Sequence, residues 1–343
     1  MKINEIFMHR AIELAECASG LTYPNPMVGA VIVHDNIIIG EGYHRKAGTP
    51  HAEVNAVNSV VDKSLLHDST LYVSLEPCAH YGRTPPCAKL IIDMGIPRVV
   101  VGCIDSFSKV SGKGIDMLRK AGVEVHVGVL EKECRKLNRR FFTFHEKKRP
   151  YIILKWAESK DGFIDKLRSP EEQAPWLTNE ECRRLVHKQR TTEQAILIGA
   201  NTASMDNPSL TVRSWTGNQP LRIVFDPKLS VPSKLKLFND NITTVILNSS
   251  NDTTSGNIIY KQIASSDIKD VVKSLYELEI QSIIIEGGAQ TLQTFIDGNM
   301  WDEAYIYKSP LLLGSGIIAP KIILHDAIST TIGNCTLTKA INN

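Results

Sequence analysis

Apolar positions along the first part of the chain alternate between helical spacing and short continuous runs. β-Branched runs at 27–33 and 37–39 flank the Asp35-Asn36 pair, a turn signal that predicts a β-hairpin. Further apolar runs predict strands at 71–75, 98–102 and 123–127. Helical spacing predicts helices at 5–19, 52–61, 88–94, 114–120 and from about residue 131. The alternation predicts an α/β sandwich with a mixed sheet.

A charged stretch ending in a proline, residues 145–150, interrupts this pattern and is a candidate linker. We therefore predict two domains, 1–145 and 150–343. Beyond the linker the pattern predicts strands at 151–156, 195–198, 221–225, 244–247, 283–285 and 304–307, and an irregular final strand within 332–343. It also predicts helices at 179–188 and 290–296, the first capped by Thr178 with Glu181 three residues later. The second part is therefore a second α/β domain, with a surface loop at 248–257.

Composition narrows the function classes. The 343 residues carry a net charge of only +2, which argues against a polynucleotide partner and favours a small-molecule substrate. No apolar run approaches the roughly 20 residues of a membrane span. The seven cysteines are an odd number spread along the chain, so they do not resemble a disulfide framework. We expect a cytoplasmic protein.

The strongest candidate chemistry lies in His51, Glu53, Cys78 and Cys87. One imidazole and two thiolates supply the three ligands of a catalytic zinc, whose open position activates a water. Glu53 follows the ligand His51 by two residues and is placed to move a proton. The order His-x-Glu, then Pro-Cys and a second Cys, is typical of zinc deaminases. Here eight residues rather than two separate the cysteines, and the helix predicted after Cys87 still points its thiolate at the metal.

Two plainer interpretations stay open from these residues alone. His80 is a possible fourth ligand, which would make a closed structural zinc site. Alternatively, Cys78 and Cys87 are two buried thiols that bind no metal. Glu53 separates these interpretations from catalysis, because a structural site needs no proton shuttle.

Residues 24–30, 40–44, 48–53 and 76–87 together resemble one family, the bifunctional deaminase–reductases of riboflavin biosynthesis within the cytidine-deaminase-like superfamily. The long loop ending in Thr84-Pro85-Pro86-Cys87 distinguishes that family from cytidine and tRNA deaminases. The resemblance implies an N-terminal cytidine-deaminase-like α/β/α sandwich. It implies the substrate 2,5-diamino-6-(ribosylamino)-4(3H)-pyrimidinone 5′-phosphate, deaminated at its 2-amino group. The implied substrate contacts are Asn25, His44 and His80, with Lys46 and Arg83 as candidates for the phosphate.

The second domain lacks the G-x-G-x-x-G pattern of doubly wound dinucleotide-binding folds. Its one local hint is the strand at 283–285, followed by Glu286-Gly287-Gly288-Ala289 and then a helix. Such a turn presents backbone N–H groups to an anion, although it is also an ordinary tight connection.

Segments 154–162, 176–178, 199–213 and 286–288 resemble the reductase domain of the same family, which implies a dihydrofolate-reductase-like fold and NADPH-dependent reduction of the ribosyl group to ribityl. Matching positions imply NADPH contacts from Ala157, Trp176, Thr202, Asp206, Gly288, Ala289, Gln290 and Thr291. They imply substrate contacts from Ala174, Arg190, Leu210, Arg213 and Glu286. Trp156, Glu158 and Ala174 depart from the residues expected there.

Three alternatives remain beside the two-step enzyme. A nucleic-acid deaminase would show a basic face and a short cysteine spacing, and a zinc-stabilised binding module would not need Glu53. A deaminase with a degenerate reductase domain would retain only the first activity. For the two-step enzyme we expect zinc and NADPH as cofactors and a homo-oligomeric assembly.

Overall fold

A computed structural model describes residues 3–81, 85–106 and 111–342. The chain divides into two compact units, unit 1 at residues 1–147 and unit 2 at residues 148–343. In the described residues, no helix combines the length and apolar character needed to cross a membrane.

Unit 1 is built on a five-stranded mixed sheet in the part of it that is described. Its elements are α1 (Glu5–Glu16), β1 (Gly29–His34), β2 (Ile37–Tyr43), α2 (Ala52–Ser59), β3 (Thr70–Leu75), α3 (Cys87–Asp93), β4 (Arg98–Cys103), α4 (Lys113–Lys120), β5 (Glu124–Val127), α5 (Glu131–Leu137) and α6 (Arg139–Lys147). The strand order is β2-β1-β3-β4-β5. Strand β1 runs antiparallel to β2 and β3, whereas β3, β4 and β5 are parallel. This mixed sheet is the one that the alternating pattern predicts.

Helices cover both faces of this sheet. Side chains of successive strand residues point to opposite sides, so each strand contributes to two cores. Ile32, Val73 and Val101 pack on one face with residues of α2, α3 and α4. Val31 and Val100 face the other way, into a core shared with α1, α5 and α6. The predicted hairpin forms at Asp35 and Asn36, whose φ angles of 47° and 61° are those of a tight two-residue turn.

Unit 2 is built on a sheet of ten strands among the described residues. Its elements are β6 (Tyr151–Glu158), β7 (Phe163–Asp165), α7 (Glu180–Thr192), β8 (Ala195–Gly199), α8 (Ala200–Asp206), β9 (Leu221–Phe225), β10 (Thr244–Asn248), β11 (Thr253–Ser255), β12 (Ile258–Gln262), α9 (Ile268–Glu277), β13 (Ser282–Ile285), α10 (Ala289–Asp297), β14 (Glu303–Lys308), β15 (Ile317–Ile318), β16 (Ile328–Ile332) and β17 (Cys335–Ile341). The strand order is β11-β12-β10-β9-β8-β13-β6-β14-β17-β16, and a separate pair joins β15 to β7.

The seven strands from β12 to β14 in this order are parallel, and antiparallel strands close the sheet at both edges. Parallel strands are buried on both faces, which explains why they read as continuous apolar runs in the sequence. On one face Leu197, Val245 and Ile285 pack in the core formed with α9 and α10. On the other, Ile196 and Val224 pack in a core with α8.

The structure corrects two local predictions. Helix α7 starts one residue later than predicted, since Asn179 rather than Thr178 caps it by accepting the Cys182 N–H at 2.9 Å. Asn179 also donates to the carbonyl of Ile332 at 2.7 Å, a distant contact that selects it over its neighbour. Helix α6 continues to Lys147, so the first half of the predicted linker is helical.

Helices α8 and α9 and strands β7, β11, β12, β15 and β16 are absent from the predicted elements, and β11 lies within the predicted surface loop at 248–257. Helix α9 carried a readable signal, because Asp267 caps it by accepting the Lys269 N–H. Val271, Val272 and Leu275 then form its buried face at helical spacing. Strand β16 is almost entirely exposed, so no apolar pattern marks it.

Candidate active sites

His51, Cys78 and Cys87 meet at one edge of the unit 1 sheet. Strand β3 ends at Leu75, and Cys78 follows three residues later. His51 is the residue that precedes α2, and Cys87 is the first residue of α3. Two helix N-termini and the carboxyl end of a strand therefore bring together ligands from three separate segments.

The donor atoms of these three residues all lie within 4.8 Å of one another, and they form the metal-binding group found in the described part of the chain. His51 Nδ1 lies 3.2 Å from Cys87 Sγ and 3.6 Å from Cys78 Sγ. Zinc bonds of roughly 2.3 Å to sulfur and 2.0 Å to nitrogen, in tetrahedral geometry, separate such donors by roughly 3.5–3.8 Å. Both the donor set and its spacing fit zinc. His80 is exposed in the loop between the cysteines and is not in the group.

The two thiols share one negative charge. A hydrogen bond from the Cys87 thiol is the largest influence that lowers the pKa of Cys78, to about 4. The same bond raises the pKa of Cys87. The Cys87 backbone N–H also points at Cys78 Sγ, at 3.3 Å. The N-terminus of α3 therefore stabilises the anionic sulfur of Cys78, which is the form that binds a metal.

Glu53 lies in the first turn of α2 and is only 3 % exposed. Burial, reinforced by the negative charge of Cys78, raises the pKa of Glu53 to about 7, although His51 acts in the opposite direction. A carboxyl group with such a pKa both takes up and releases a proton near neutral pH. This is the property that a proton shuttle requires.

Glu76 is a supporting residue that sequence reasoning missed. Its buried carboxylate accepts the backbone N–H groups of Gly112 and Gly114, each at 2.9 Å. It also accepts the Asp105 N–H at 3.3 Å. These bonds tie the segment leading into α4 to the end of β3. Glu76 thereby holds the chain two residues before the ligand Cys78.

The predicted substrate contacts of unit 1 take different positions. Asn25 Nδ2 lies 3.1 Å from His44 Nε2, and the His44 ring packs edge-on against the His51 ring with centroids 5.5 Å apart. Burial lowers the pKa of His44. Lys46 and His80 are exposed, and Arg83 lies outside the described residues. Asn25 and His44 are therefore the two predicted contacts that the structure brings to the ligand cluster.

Unit 2 contains a buried ionic cluster at its sheet. Glu286, which follows β13, pairs bidentately with Arg190 of α7 at 2.9 and 2.7 Å. Lys155 of β6 lies 3.7 Å from the same carboxylate. Burial favours the neutral form of Glu286, but Arg190 and then Lys155 outweigh it and lower its pKa to about 2. The cluster carries a net positive charge, so it suits an anionic ligand.

A cavity of about 440 Å³ opens beside this cluster. Its cationic lining consists of Lys155, Arg183, Arg184, Arg190 and Arg213, with His187 beside them. Of these residues, the family resemblance implies only Arg190 and Arg213. The α7 sequence also indicates a cationic helix face, because Arg183, His187 and Arg190 recur at helical spacing. Their convergence with Lys155 depends on the pairing of distant strands.

The predicted NADPH contacts converge in part. Gly288 precedes α10 with a φ of 62°, and a Cβ added there would lie 2.9 Å from Thr202 Oγ1 and 4.0 Å from Thr291 Oγ1. Among the described residues no side chain caps α10, and the first N–H groups of a helix have no partner within the helix itself. Ala289 and Gln290 form the first turn of that helix. The turn and the two hydroxyls form a cradle that a side chain would fill, which fits a phosphate of the cofactor.

The other predicted contacts of unit 2 take separate positions. Trp176 is 67 % exposed on the cavity rim, and the Arg183 guanidinium lies 4.6 Å from its ring centroid. Asp206 is paired with the buried Arg168. Ala157 lies on β6 and packs against a small buried cluster that contains Cys182 and Tyr307. Ala174 is exposed in the segment before Trp176.

Two residues are more buried than their predicted roles suggest. The Leu210 side chain is 4 % exposed and packs in the α8 core, so its main chain alone is available to a substrate. Trp156, which departs from the expected residue, is also buried in the core and donates from Nε1 to Glu158 at 3.0 Å. Glu158 in turn lies 3.6 Å from Lys308. Trp156 and Glu158, two of the departures from the expected sequence, therefore form a hydrogen bond with each other.

Family models match both parts of the chain. Residues 1–103 match the cytidine and deoxycytidylate deaminase zinc-binding region, and residues 150–335 match the RibD C-terminal domain. The riboflavin biosynthesis protein RibD of Aquifex aeolicus is 42 % identical over 323 residues, which cover 92 % of this chain and 89 % of that protein. RibD of Bacillus amyloliquefaciens is 39 % identical, covering 94 % and 88 %.

Solved structures agree with these matches. A diaminohydroxyphosphoribosylaminopyrimidine deaminase/5-amino-6-(5-phosphoribosylamino)uracil reductase from Thermotoga maritima superposes with a TM-score of 0.87 at 36 % identity, covering 98 % of both chains. Acinetobacter baumannii RibD gives 0.88 at 32 % identity, also over 98 % of both chains. The predicted fold class, a cytidine-deaminase-like sandwich followed by a dihydrofolate-reductase-like domain, is confirmed. The chain belongs to the RibD family of riboflavin biosynthesis proteins.

Proposed function

We propose that this chain catalyses two consecutive steps of riboflavin biosynthesis. The first is hydrolytic deamination of 2,5-diamino-6-(ribosylamino)-4(3H)-pyrimidinone 5′-phosphate. The second is NADPH-dependent reduction of the ribosyl side chain, which yields 5-amino-6-(ribitylamino)uracil 5′-phosphate. The observation that carries the proposal is the zinc-type cluster of His51, Cys78 and Cys87 with a buried Glu53 beside it, in a chain whose two parts match the deaminase and RibD family models.

In the first step, His51, Cys78 and Cys87 would hold zinc, which would supply the Lewis acidity that activates water. Glu53 accepts a proton from the attacking water and passes it to the departing 2-amino group. One water is consumed, the ring carbon gains an oxygen and ammonia leaves. The pKa of Glu53, about 7, suits both halves of this transfer. Asn25, His44 and His80 remain the proposed residues for substrate recognition.

In the second step, NADPH would supply the hydride to C1′ of the opened sugar, a proton from solvent would complete the reduction, and NADP⁺ would be left. The Gly288–Thr291 turn and Thr202 would hold the cofactor phosphate, while Ala157, Trp176 and Asp206 are its further proposed contacts. Arg190 and Arg213 bind the phosphate of the substrate at the cationic cavity. Glu286 fixes the Arg190 guanidinium through the bidentate pair. The main chain at Leu210 and the segment at Ala174 complete the proposed substrate contacts.

We propose residues 1–145 as the deaminase domain and 150–343 as the reductase domain. We also propose a cytoplasmic location, which the need of the zinc cluster for reduced thiols supports. A homo-oligomer would cover exposed apolar side chains of unit 2 such as Leu312, Ile318 and Ile328. Size-exclusion chromatography with light scattering tests the assembly, and a monomeric mass would refute it.

A stepwise assay tests the two activities. Metal analysis of the purified protein should find about one zinc per chain, as a three-ligand catalytic site requires. The diaminopyrimidine substrate should release ammonia without NADPH. NADPH oxidation should then require the deaminated product. Ammonia release without any NADPH oxidation on authentic product would leave a deaminase alone, and failure of both would refute the proposal.

A further inference from the structure

His44 is held in unit 1 at its backbone and at both nitrogens of its ring. Its backbone N–H donates to the Val28 carbonyl at 2.9 Å. Its ring Nδ1 lies 3.2 Å from the Pro50 carbonyl oxygen, and its Nε2 lies 3.1 Å from Asn25 Nδ2. The residue is 3 % exposed. A ring buried and anchored in this way has a fixed orientation.

The partners of the ring determine which nitrogen carries the proton. A carbonyl oxygen only accepts, so Nδ1 must be the protonated nitrogen that donates to Pro50. Asn25 Nδ2 can only donate, so His44 Nε2, at 3.1 Å, is the acceptor of the hydrogen bond from the Asn25 amide N–H. With the opposite tautomer, Nδ1 and the Pro50 oxygen would be two acceptors in contact. The Pro50 carbonyl is itself held in place, because Asn55 of α2 donates to it and to the Tyr43 carbonyl.

The orientation of the Asn25 amide follows from that tautomer. Since Nδ2 donates to His44, Oδ1 is the other end of the amide, and it accepts no hydrogen bond from the residues that the structure describes. The His44 ring, which accepts this hydrogen bond, packs against the ring of the zinc ligand His51, with 5.5 Å between the two centroids. Asn25 therefore offers a hydrogen-bond acceptor one side chain away from the zinc cluster.

We propose that His44 is a positioning residue that acts through Asn25, so that Asn25 Oδ1 accepts a hydrogen bond from an N–H group of the pyrimidine. The hydrogen bonds that link Pro50, His44 and Asn25 therefore favour a pyrimidine that presents an N–H donor to Asn25 Oδ1. A pyrimidine that presents only an acceptor there would place two acceptors in contact and would bind poorly. This inference rests on the proposed deaminase function, and it assigns His44 no direct contact with the substrate.

Two variants of His44 distinguish the contribution of the Nε2 hydrogen-bond acceptor from that of the ring volume. His44→Phe fills the ring volume but removes the acceptor, whereas His44→Gln restores an acceptor near the position of Nε2. We expect His44→Phe to raise the KM for deamination about tenfold, the equivalent of about 1.4 kcal/mol for one misplaced hydrogen bond, with a smaller change in kcat. We expect His44→Gln to recover most of this loss. A glutamine variant as impaired as the phenylalanine variant would overturn the proposal.

A double-mutant cycle tests whether His44 acts through Asn25. In an Asn25→Ala background, His44→Phe should change KM less than twofold, because no amide remains to be oriented. An undiminished tenfold effect in that background would overturn the proposal and indicate a direct or structural role. Zinc content and NADPH oxidation on the deaminated product serve as folding controls for every variant. Lack of ammonia release by the wild-type protein would instead refute the proposed function itself.

The tautomer is open to direct measurement. Long-range ¹H–¹⁵N spectra of the zinc-loaded wild-type protein, with His44→Gln used for assignment, should show a protonated Nδ1 and an unprotonated Nε2 for His44. A protonated Nε2 would remove the basis of the proposal, whatever the kinetic result.

Discussion

The zinc cluster of unit 1 and the ionic cluster of unit 2 are assembled in different ways. The zinc ligands lie between residues 51 and 87, on two helix starts and one strand end. The ionic cluster joins Lys155, Arg190 and Glu286, which belong to a strand, a helix and a loop far apart in the sequence. A metal demands particular ligand types in a compact arrangement, so it leaves a motif. An anion demands only converging positive charge, which many arrangements supply.

The two clusters also differ in how they balance charge. In unit 1 the thiols of Cys78 and Cys87 share a proton and one negative charge in the absence of metal, and zinc would bind both as thiolates, whose two negative charges balance its own. In unit 2 the charges neutralise each other in part, since one carboxylate faces an arginine and a lysine. Removing one partner is therefore expected to affect chemistry in unit 1 and stability in unit 2. Four predictions test this contrast, from the largest expected effect to the smallest.

Glu53→Gln should abolish most of the deamination while leaving zinc in place. Loss of a positioned proton-transfer group costs about 10²–10⁴ in rate. Ammonia release measures the first activity and metal analysis the zinc content. Cys87→Ser is the matched variant that should lose both metal and deamination. Near-normal turnover by Glu53→Gln would contradict the proton-shuttle role.

Arg190→Ala should destabilise unit 2 strongly, because it leaves Glu286 buried with Lys155 as its remaining cationic partner. Breaking a buried ion pair in this way costs about 3–5 kcal/mol of the free energy of unfolding. All four tryptophans lie in residues 156–301, so tryptophan fluorescence during urea unfolding reports on unit 2.

Arg184→Ala is the matched control for Arg190→Ala. Arg184 lines the same cavity, but its side chain is 59 % exposed and pairs with Glu180 within one helix. Such a surface pair is worth about 0–1 kcal/mol. Equal losses of stability in the two variants would contradict the assignment of a special role to the buried cluster.

Acid should remove the contribution of Glu286 in a defined range. Its folded-state pKa is lowered from 4.5 to about 2, so the stabilisation is fully present above pH 4.5 and is lost as the pH falls toward 2. The difference in free energy of unfolding between wild type and Glu286→Gln should therefore shrink across this interval. Urea titrations followed by tryptophan fluorescence measure it. A difference that is constant between pH 5 and pH 2, an interval set by that same pKa shift, would show that this carboxyl has the same pKa in the folded and unfolded states, so that Arg190 and Lys155 do not lower it.

Arg168→Ala should have the smallest effect, a rise in the KM for NADPH of about threefold to tenfold. Arg168 bonds to Asp165 and Asp206 and to the carbonyls of Glu172 and Met205, with its side chain 3 % exposed. A hydrogen bond between charged groups is worth roughly 1.5–3 kcal/mol, and only part of that reaches the cofactor through Asp206. Lys166→Ala, which removes an exposed neighbouring side chain, is the control. An unchanged KM in Arg168→Ala would remove the link between Asp206 and the cofactor.

Sequence patterns predicted most of the central strands because their side chains are buried on one or both faces. Predictions failed where a distant contact decided the outcome, as at the start of α7. There Asn179 and Thr178 are both good capping residues, and the bond from Asn179 to Ile332 selects between them. The exposed strand β16 left no apolar pattern to read.

The sequence alone determined the chemistry of the first site. His51, Glu53, Cys78 and Cys87 carry their chemical identity in short motifs, because zinc ligation and proton transfer need those residue types. Only the tertiary structure decided how they are supported: Glu76 holds the chain before Cys78, and His44 bonds to Asn25. It also decided that Lys155 joins Arg190 and Glu286, since parallel strands far apart in sequence pair side by side. Local spacing encodes residue chemistry, whereas burial and convergence depend on contacts that no local pattern contains.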